Sequence, residues 1–187
     1  MEHVIDVGDA ANESVLTETG EGGLFGRALL ADEPLAAYLD DAETPRYVLR
    51  NKKSGVAVEG PEGSGEMRPG SDYSGLALVT DVRVLFAIGD ATATDGAADF
   101  GEDRTDDEGP GRTDDERPGR ADDGDPGRSG RDRTLSVPLG DVVDVRTADG
   151  GLLDERFVVE TVTDERYAFP CRGDLSPVRE FTDAAAG

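Results

Sequence analysis

Residues 76–89 read LALVTDVRVLFAIG, and this stretch decides the fold. Val84, Phe86 and Ile88 alternate with Arg83, Leu85 and Ala87, the period of two that sends successive side chains to opposite faces of a strand. Thr80 and Asp81 interrupt the run with turn chemistry, so the stretch predicts two antiparallel strands. The pattern recurs on both sides. Upstream, RYVLR at 46–50 sets Tyr47 and Leu49 on one face, and NKKSG leads into VAVE at 56–59. Asn51 and Gly55 suit the positive-φ positions of a short loop, so these two strands are expected to form a hairpin. A polar stretch, GPEGSGEMRPGSDY at 60–73, separates them from SGLALVT. Downstream come RTLSVPL at 133–139, VVDVRTA at 142–148, ERFVVETV at 155–162 and RYAFP at 166–170.

Helical signals flank the strands. In DEPLAAYLDDAE, Asp32 is a candidate N-cap with Pro34 in the first turn, and Leu35, Tyr38 and Leu39 share one face, which predicts a short helix over 33–41. Ser176 and Pro177 open a second helix, expected over 176–185, with Val178, Phe181 and Ala185 on its apolar side. Residues 1–31, with TETGEGG, are acidic and glycine-rich and are expected to be a mobile acidic arm. The expected fold class is therefore mainly β: a small antiparallel barrel or sandwich of about seven to eight strands within a single domain, 32–187.

Between Gly89 and Arg133, 43 residues stand where a few would suffice. They include DRTDDEGPGRTDDERPGRADDGDPGRSGRD, an octad repeat in which Arg104, Arg112, Arg120 and Arg128 are spaced by eight. The repeat has no apolar face to stack, which excludes a solenoid, so residues 91–132 are expected to be a disordered acidic insertion. Closing a loop of that length costs only about 2 kcal/mol more than closing a short one.

With the insertion set aside, three pieces in order, LALVTDVRVLFAIG, LSVPLGDVVDVRT and RFVVETVTDERYAFP, resemble the prokaryotic PH-like families of pleckstrin-homology or GRAM type, including YokE-like PH. They cover roughly half the chain. The resemblance implies two packed antiparallel sheets of seven strands, closed at one end by a C-terminal helix, and a binding role without catalysis. In lipid-binding PH domains the loop between the first two strands gathers basic residues around a phosphate, and Arg50, Lys52 and Lys53 stand in the matching loop here. Arg83, in the Thr-Asp-x-Arg corner, has two readings: a ligand-facing cation, or a structural partner of Asp81 or Asp144, since the guanidinium fork suits carboxylates.

Composition limits the partners. Asp and Glu number 42 against 19 Lys and Arg, a formal charge of -23, and only Lys52 and Lys53 are lysines. Such an acidic, lysine-poor chain resembles the proteins of salt-in halophilic archaea. The charge argues against nucleic acid, whose binding needs a basic face and counterion release. In molar salt the Debye length is about 3 Å, so a partner must be held by shape, apolar surface and close hydrogen bonds. The expected partner is a protein or something membrane-associated. An acidic mimic of nucleic acid that inhibits a basic protein is the alternative, but the span 102–133 holds 12 acids and 7 arginines, leaving the charge spread along the chain. No stretch has the apolar length of a membrane span or a secretory signal, and a cytoplasmic home is expected.

No residue set spells out a reaction, so the chain is expected not to be an enzyme, an unrecognised one being a further alternative. His3 lies in the expected arm, away from Cys171, the single cysteine, which follows Phe169 and Pro170 as an inert, half-buried thiol. One His and one Cys cannot make a Cys/His metal site. The pairs Asp106–Asp107 and Asp122–Asp123 lie in the insertion, where burial cannot tune a pKa. ADDGDPG lacks the EF-hand spacing. No cofactor is implied.

Overall fold

The computed structural model describes residues 4–9, 12–18, 28–51, 53–94, 132–149 and 155–186. Eleven strands occur among them: β1 Val4–Asp6, β2 Pro45–Asn51, β3 Val56–Gly60, β4 Gly63–Arg68, β5 Gly75–Thr80, β6 Arg83–Ile88, β7 Thr92–Thr94, β8 Arg133–Pro138, β9 Val142–Asp149, β10 Glu155–Thr161 and β11 Arg166–Cys171. Helices are few and short, α1 at Ser14–Thr17 and α2 at Ser176–Ala186, with 3-10 turns at Leu35–Tyr38 and Leu139–Asp141. The chain is mainly β, as the alternating stretches predict.

Two antiparallel sheets pack as a sandwich and do not close into a barrel. The first has five strands in the order β1-β2-β5-β6-β8, and the second has six in the order β7-β4-β3-β11-β10-β9. All eight strands expected from alternation are present, and β1, β4 and β7 are additional. In the first sheet Ala77 stands opposite Phe86, and Phe86 opposite Leu135. In the second, Phe157 stands opposite Phe169 and Tyr167 opposite Val58. The inward faces meet in a core that contains Leu49, Val56, Val84, Phe86, Phe157 and Phe169. There the Phe86 ring stacks on Tyr167 at 5.7 Å and lies 6.0 Å from Phe169.

The expected β2–β3 hairpin is not formed. β2 pairs with β1 and β5 in the first sheet, whereas β3 pairs with β4 and β11 in the second. The connection that includes 53–55 therefore carries the chain from one sheet to the other, as do 69–74 between β4 and β5 and 89–91 between β6 and β7. The second and third crossings lie against one another, with the Gly70 N–H donating to the Gly89 carbonyl at 3.0 Å and the Gly89 N–H to the Ser74 carbonyl at 3.4 Å. Gly55 serves this corner by its lack of a side chain: a Cβ there would sit 1.4 Å from the Met67 carbonyl oxygen. Turn chemistry was legible in NKKSG, but it does not tell a hairpin from a crossing.

The expected mobile arm is, in its described parts, a cover. β1 pairs with β2, with Ile5 opposite Val48. Val7, Val15, Leu16, Leu29, Leu30 and Leu35 form one apolar cluster with the outward side chains of the first sheet, Val48, Leu76, Leu78, Leu85 and Ala87. That sheet is thus buried on both faces, and all six residues of β5 are buried. The helix expected over 33–41 is a single 3-10 turn, Leu35–Tyr38, with Pro34 extended before it (ψ 155). The C-terminal helix matches its expected span but differs in detail. Asp174 supplies the cap, its Oδ1 accepting the Ser176 N–H at 3.0 Å. Val178 is fully buried, Phe181 meets Tyr47 edge-on at 5.9 Å, and Ala185 is exposed.

The insertion begins later and ends earlier than expected. Residues 92–94 form β7, and Asp132 belongs to the fold. Residues 95–131, with the octad repeat, lie outside the described residues.

Candidate functional site

Arg83 opens β6 directly after the β5–β6 turn, and its partner is neither Asp81 nor Asp144. Its guanidinium takes Glu43 in a two-pronged pair, Nε to Oε1 at 2.8 Å and Nη2 to Oε2 at 2.7 Å, and Nη2 also donates to the Tyr38 carbonyl at 2.6 Å. The Glu43 side chain is 1 % exposed and that of Arg83 21 %. Thr80 Oγ1 donates to Glu43 Oε1 at 2.7 Å, and the Asp40 N–H donates to Oε2 at 3.1 Å. Burial alone would push the Glu43 carboxyl up; the hydrogen bonds from Arg83, Thr80 and Asp40 outweigh it and hold the group below its ordinary value. Arg83 thus ties the cover segment at 38–43 to the first sheet. Asp81 instead accepts the Thr44 N–H at 2.8 Å, and Asp144 lies 3.9 Å from Arg146.

The basic corner separates on inspection. Arg50 is 3 % exposed, on the face it shares with Val48, with Nε and Nη2 donating to Ser74 Oγ at 3.2 and 2.9 Å. Lys53 is exposed on the crossing from β2 to β3, and Lys52 lies outside the described residues. The structure therefore does not bring Arg50, Lys53 and Arg83 together on one surface. Beside Arg50, Asn51 Nδ2 donates to the Pro170 carbonyl at 3.0 Å and links β2 to β11 across the two sheets.

Cys171 ends β11 and is 2 % exposed, more deeply buried than expected. Burial pushes its thiol up to about 11 despite backbone hydrogen bonds from Arg50 and Arg172 that act the other way. A thiol so placed is a poor nucleophile at neutral pH. Among the described residues no group of three or more His, Cys, Asp or Glu side chains could hold a metal ion.

Sequence reasoning passed over a groove where the β3–β4 turn meets the β10–β11 turn. It measures about 440 Å³ and is lined by Glu59, Gly60, Val143, Glu160, Thr161 and the turn residues Asp164, Glu165 and Arg166. The two turns touch, a Cβ on Gly60 meeting Glu165 at 3.3 Å. Asp164 adopts φ 60, the left-handed conformation that closes the tight turn. Arg166 spans the outer face of the second sheet, 3.2 Å from Glu59 and 3.9 Å from Glu160, and Glu160 also pairs with Arg146. Glu165 accepts from the Tyr167 hydroxyl at 3.1 Å and from Thr163 at 3.1 Å. Burial, the Glu165 charge and that hydrogen bond push Tyr167 up to about 12, so its phenol stays a donor. Val143, in the lining, and Val162, in the adjoining turn, are 60 % and 61 % exposed. The sequence signal was available in TVTDER, a tight turn dense in acids with an outward valine.

Comparison with protein families, curated proteins and solved structures finds no match to this chain. Among the described residues no helix is long and apolar enough to cross a membrane.

Proposed function

We propose that the chain is a non-enzymatic PH-like binding module that engages a protein partner at the groove between the β3–β4 and β10–β11 turns. The observation that carries the reading is the groove itself. It is concave, it lies where two tight turns converge, and four carboxylates surround one arginine beside outward valines. Such a surface disfavours an anionic headgroup and suits a segment that places Arg or Lys next to an apolar side chain.

The chain route supports the likeness to PH-like families. Followed through their bends, β2–β3, β4–β5 and β6–β7 each make one long strand; with β8, β9, β10 and β11 they amount to seven, ahead of a C-terminal helix. That is the order the resemblance implies. In this alignment the first turn between strands is Pro61–Glu62 rather than NKKSG, which moves the expected ligand end from the lysines to the groove. The deep burial of Cys171 supports a role without nucleophilic catalysis. The acidic, lysine-poor composition supports the salt-rich cytoplasm of a halophilic archaeon as the setting, and disfavours nucleic acid as a partner.

The test places a photoreactive side chain at Val162 and irradiates the full chain in native extract at high KCl. Capture of a discrete protein is expected, and Asp164→Lys with Glu165→Lys should reduce it about tenfold or more. Capture that survives the groove pair but is lost with Lys52→Glu and Lys53→Glu would overturn the groove in favour of the basic corner. Binding to vesicles of anionic lipid that is lost with the lysine pair would do the same in favour of a headgroup.

A further inference from the structure

Asp132, the first described residue after the insertion, is tied to two other parts of the chain through its carboxylate. Oδ1 accepts the Ala31 N–H at 2.8 Å and the Asp90 N–H at 3.1 Å; Oδ2 accepts the Ala31 N–H at 2.9 Å and the Asp32 N–H at 2.9 Å. The Asp132 N–H returns a bond to Asp32 Oδ2 at 3.0 Å. One side chain therefore fastens the cover at Ala31 and Asp32, and the turn after β6 at Asp90, to the start of β8. Nearby, Ala28 bridges to Tyr73 and Leu30 is 1 % exposed, so a buried part of the cover lies next to the knot.

The knot is held against its own charge. Asp32 and Asp132 face each other through reciprocal N–H bonds, which brings their two carboxylates together, and Glu33 is close enough to act with them on Tyr38. Burial first, then those three charges, push the Tyr38 hydroxyl up to about 12, and Tyr73 is raised by burial and by Asp90, Asp132, Asp72 and Asp32. Hydrogen bonds from amides to a carboxylate are short-ranged and survive in salt, whereas repulsion between carboxylates a few ångströms further apart is screened by it. Attraction and repulsion in this knot therefore respond differently to ionic strength.

We propose that Asp132 is a salt-sensitive latch that joins the N-terminal cover to the root of the insertion, so that cover and root release together at low ionic strength and uncover the outer face of the first sheet. The face so exposed carries Val48, Leu76, Leu78, Leu85 and Ala87. Release is local, because the apolar cluster under the cover is separate from the cluster between the two sheets.

Hydrogen exchange on the full chain tests this, with an apolar dye as a second reading. Going from about 1 M to about 0.1 M KCl, where the Debye length grows from about 3 to about 10 Å, exchange should rise about tenfold or more at 28–39 and 14–17 together. It should stay unchanged across β10 and β11, and dye binding should rise in parallel. Asp132→Ala should give the same pattern at high salt; Asp132→Asn, which keeps one acceptor oxygen and loses the charge, should give a smaller opening and a weaker salt dependence. Exchange that rises only at Ala31, Asp32 and Asp90 while the cover stays protected would overturn the latch. So would loss of protection in cover and β11 at the same salt concentration. Should Asp132→Ala not fold, the salt series on the unaltered chain and Asp132→Asn decide between these outcomes.

Discussion

A chain that starts at Asp32 is expected to lose at least about 4 kcal/mol of unfolding free energy relative to the full chain, out of the roughly 5–15 kcal/mol available to a domain. The truncation removes Val7, Val15, Leu16, Leu29 and Leu30, all 6 % exposed or less. Burial of a Val or Leu side chain contributes about 1.5–3 kcal/mol each, and the ordering entropy of short elements offsets part of that sum. The truncation also strips the outer face of the first sheet, leaving Leu76, Leu78 and Leu85 in water and the β2 edge without β1. Urea denaturation measures the loss, and dye binding reports the exposed face. An arm without contacts would give identical midpoints for the two chains.

The cover was partly legible in the sequence. Alternation located eight strands because each has one buried and one different face, but LALV and VLFAI are apolar on both faces. A strand apolar on both sides is a strand buried on both sides, so residues 76–88 already called for a third layer. What supplies that layer was not legible. β1 is three residues long, α1 four, and Leu29 and Leu30 follow a glycine-rich acidic run, so no periodicity accumulates in any window long enough to register. β4 was missed for a related reason: in GSGEMR only Met67 is buried, and the rest of the strand is partly or fully solvated.

Arg83→Ala is expected to cost about 3–5 kcal/mol, the usual result of removing one partner from a buried ion pair. The loss exceeds that of a surface pair because Glu43 stays behind, 1 % exposed, with only the Thr80 hydroxyl and the Asp40 N–H to hold its charge. Arg83→Lys should recover part of the stability but not all, since an ammonium cannot span both carboxylate oxygens while also reaching the Tyr38 carbonyl. The pH dependence follows from the direction of the Glu43 shift. Its carboxyl is held below the ordinary value in the folded protein, so the unfolded chain binds the proton first. The stabilisation is therefore complete above the unfolded value and is lost as pH falls through the folded one. Unfolding free energy should fall on acidification below the ordinary carboxylate range, and Glu43→Gln should flatten that decline. An Arg83→Ala protein with the stability of the parent would mean that the pair is solvated.

The partner of Arg83 illustrates why the site was harder to read than the strands. A guanidinium suits any carboxylate, so its chemistry does not single out Glu43, which lies 40 residues upstream in a segment that reaches β6 only because the cover folds over the sheet. The basic corner failed for the converse reason. Arg50, Lys52 and Lys53 are neighbours in sequence, but Arg50 lies within β2, buried against Ser74, whereas Lys53 lies on the crossing and faces solvent. Contacts across the fold, not local residue chemistry, decide which of these cations a partner can reach.

The cover is the element on which burial of the first sheet's outer face, the Arg83–Glu43 pair and the Asp132 latch all depend, and methyl-to-methyl nuclear Overhauser effects on the full chain in high KCl test it most directly. Cross-peaks are predicted between the methyls of Leu29, Leu30 or Leu35 and those of Leu76, Leu78 or Leu85. Their absence, with narrow random-coil signals for Leu29 and Leu30 in a chain whose β5 and β6 resonances are dispersed, would contradict the account.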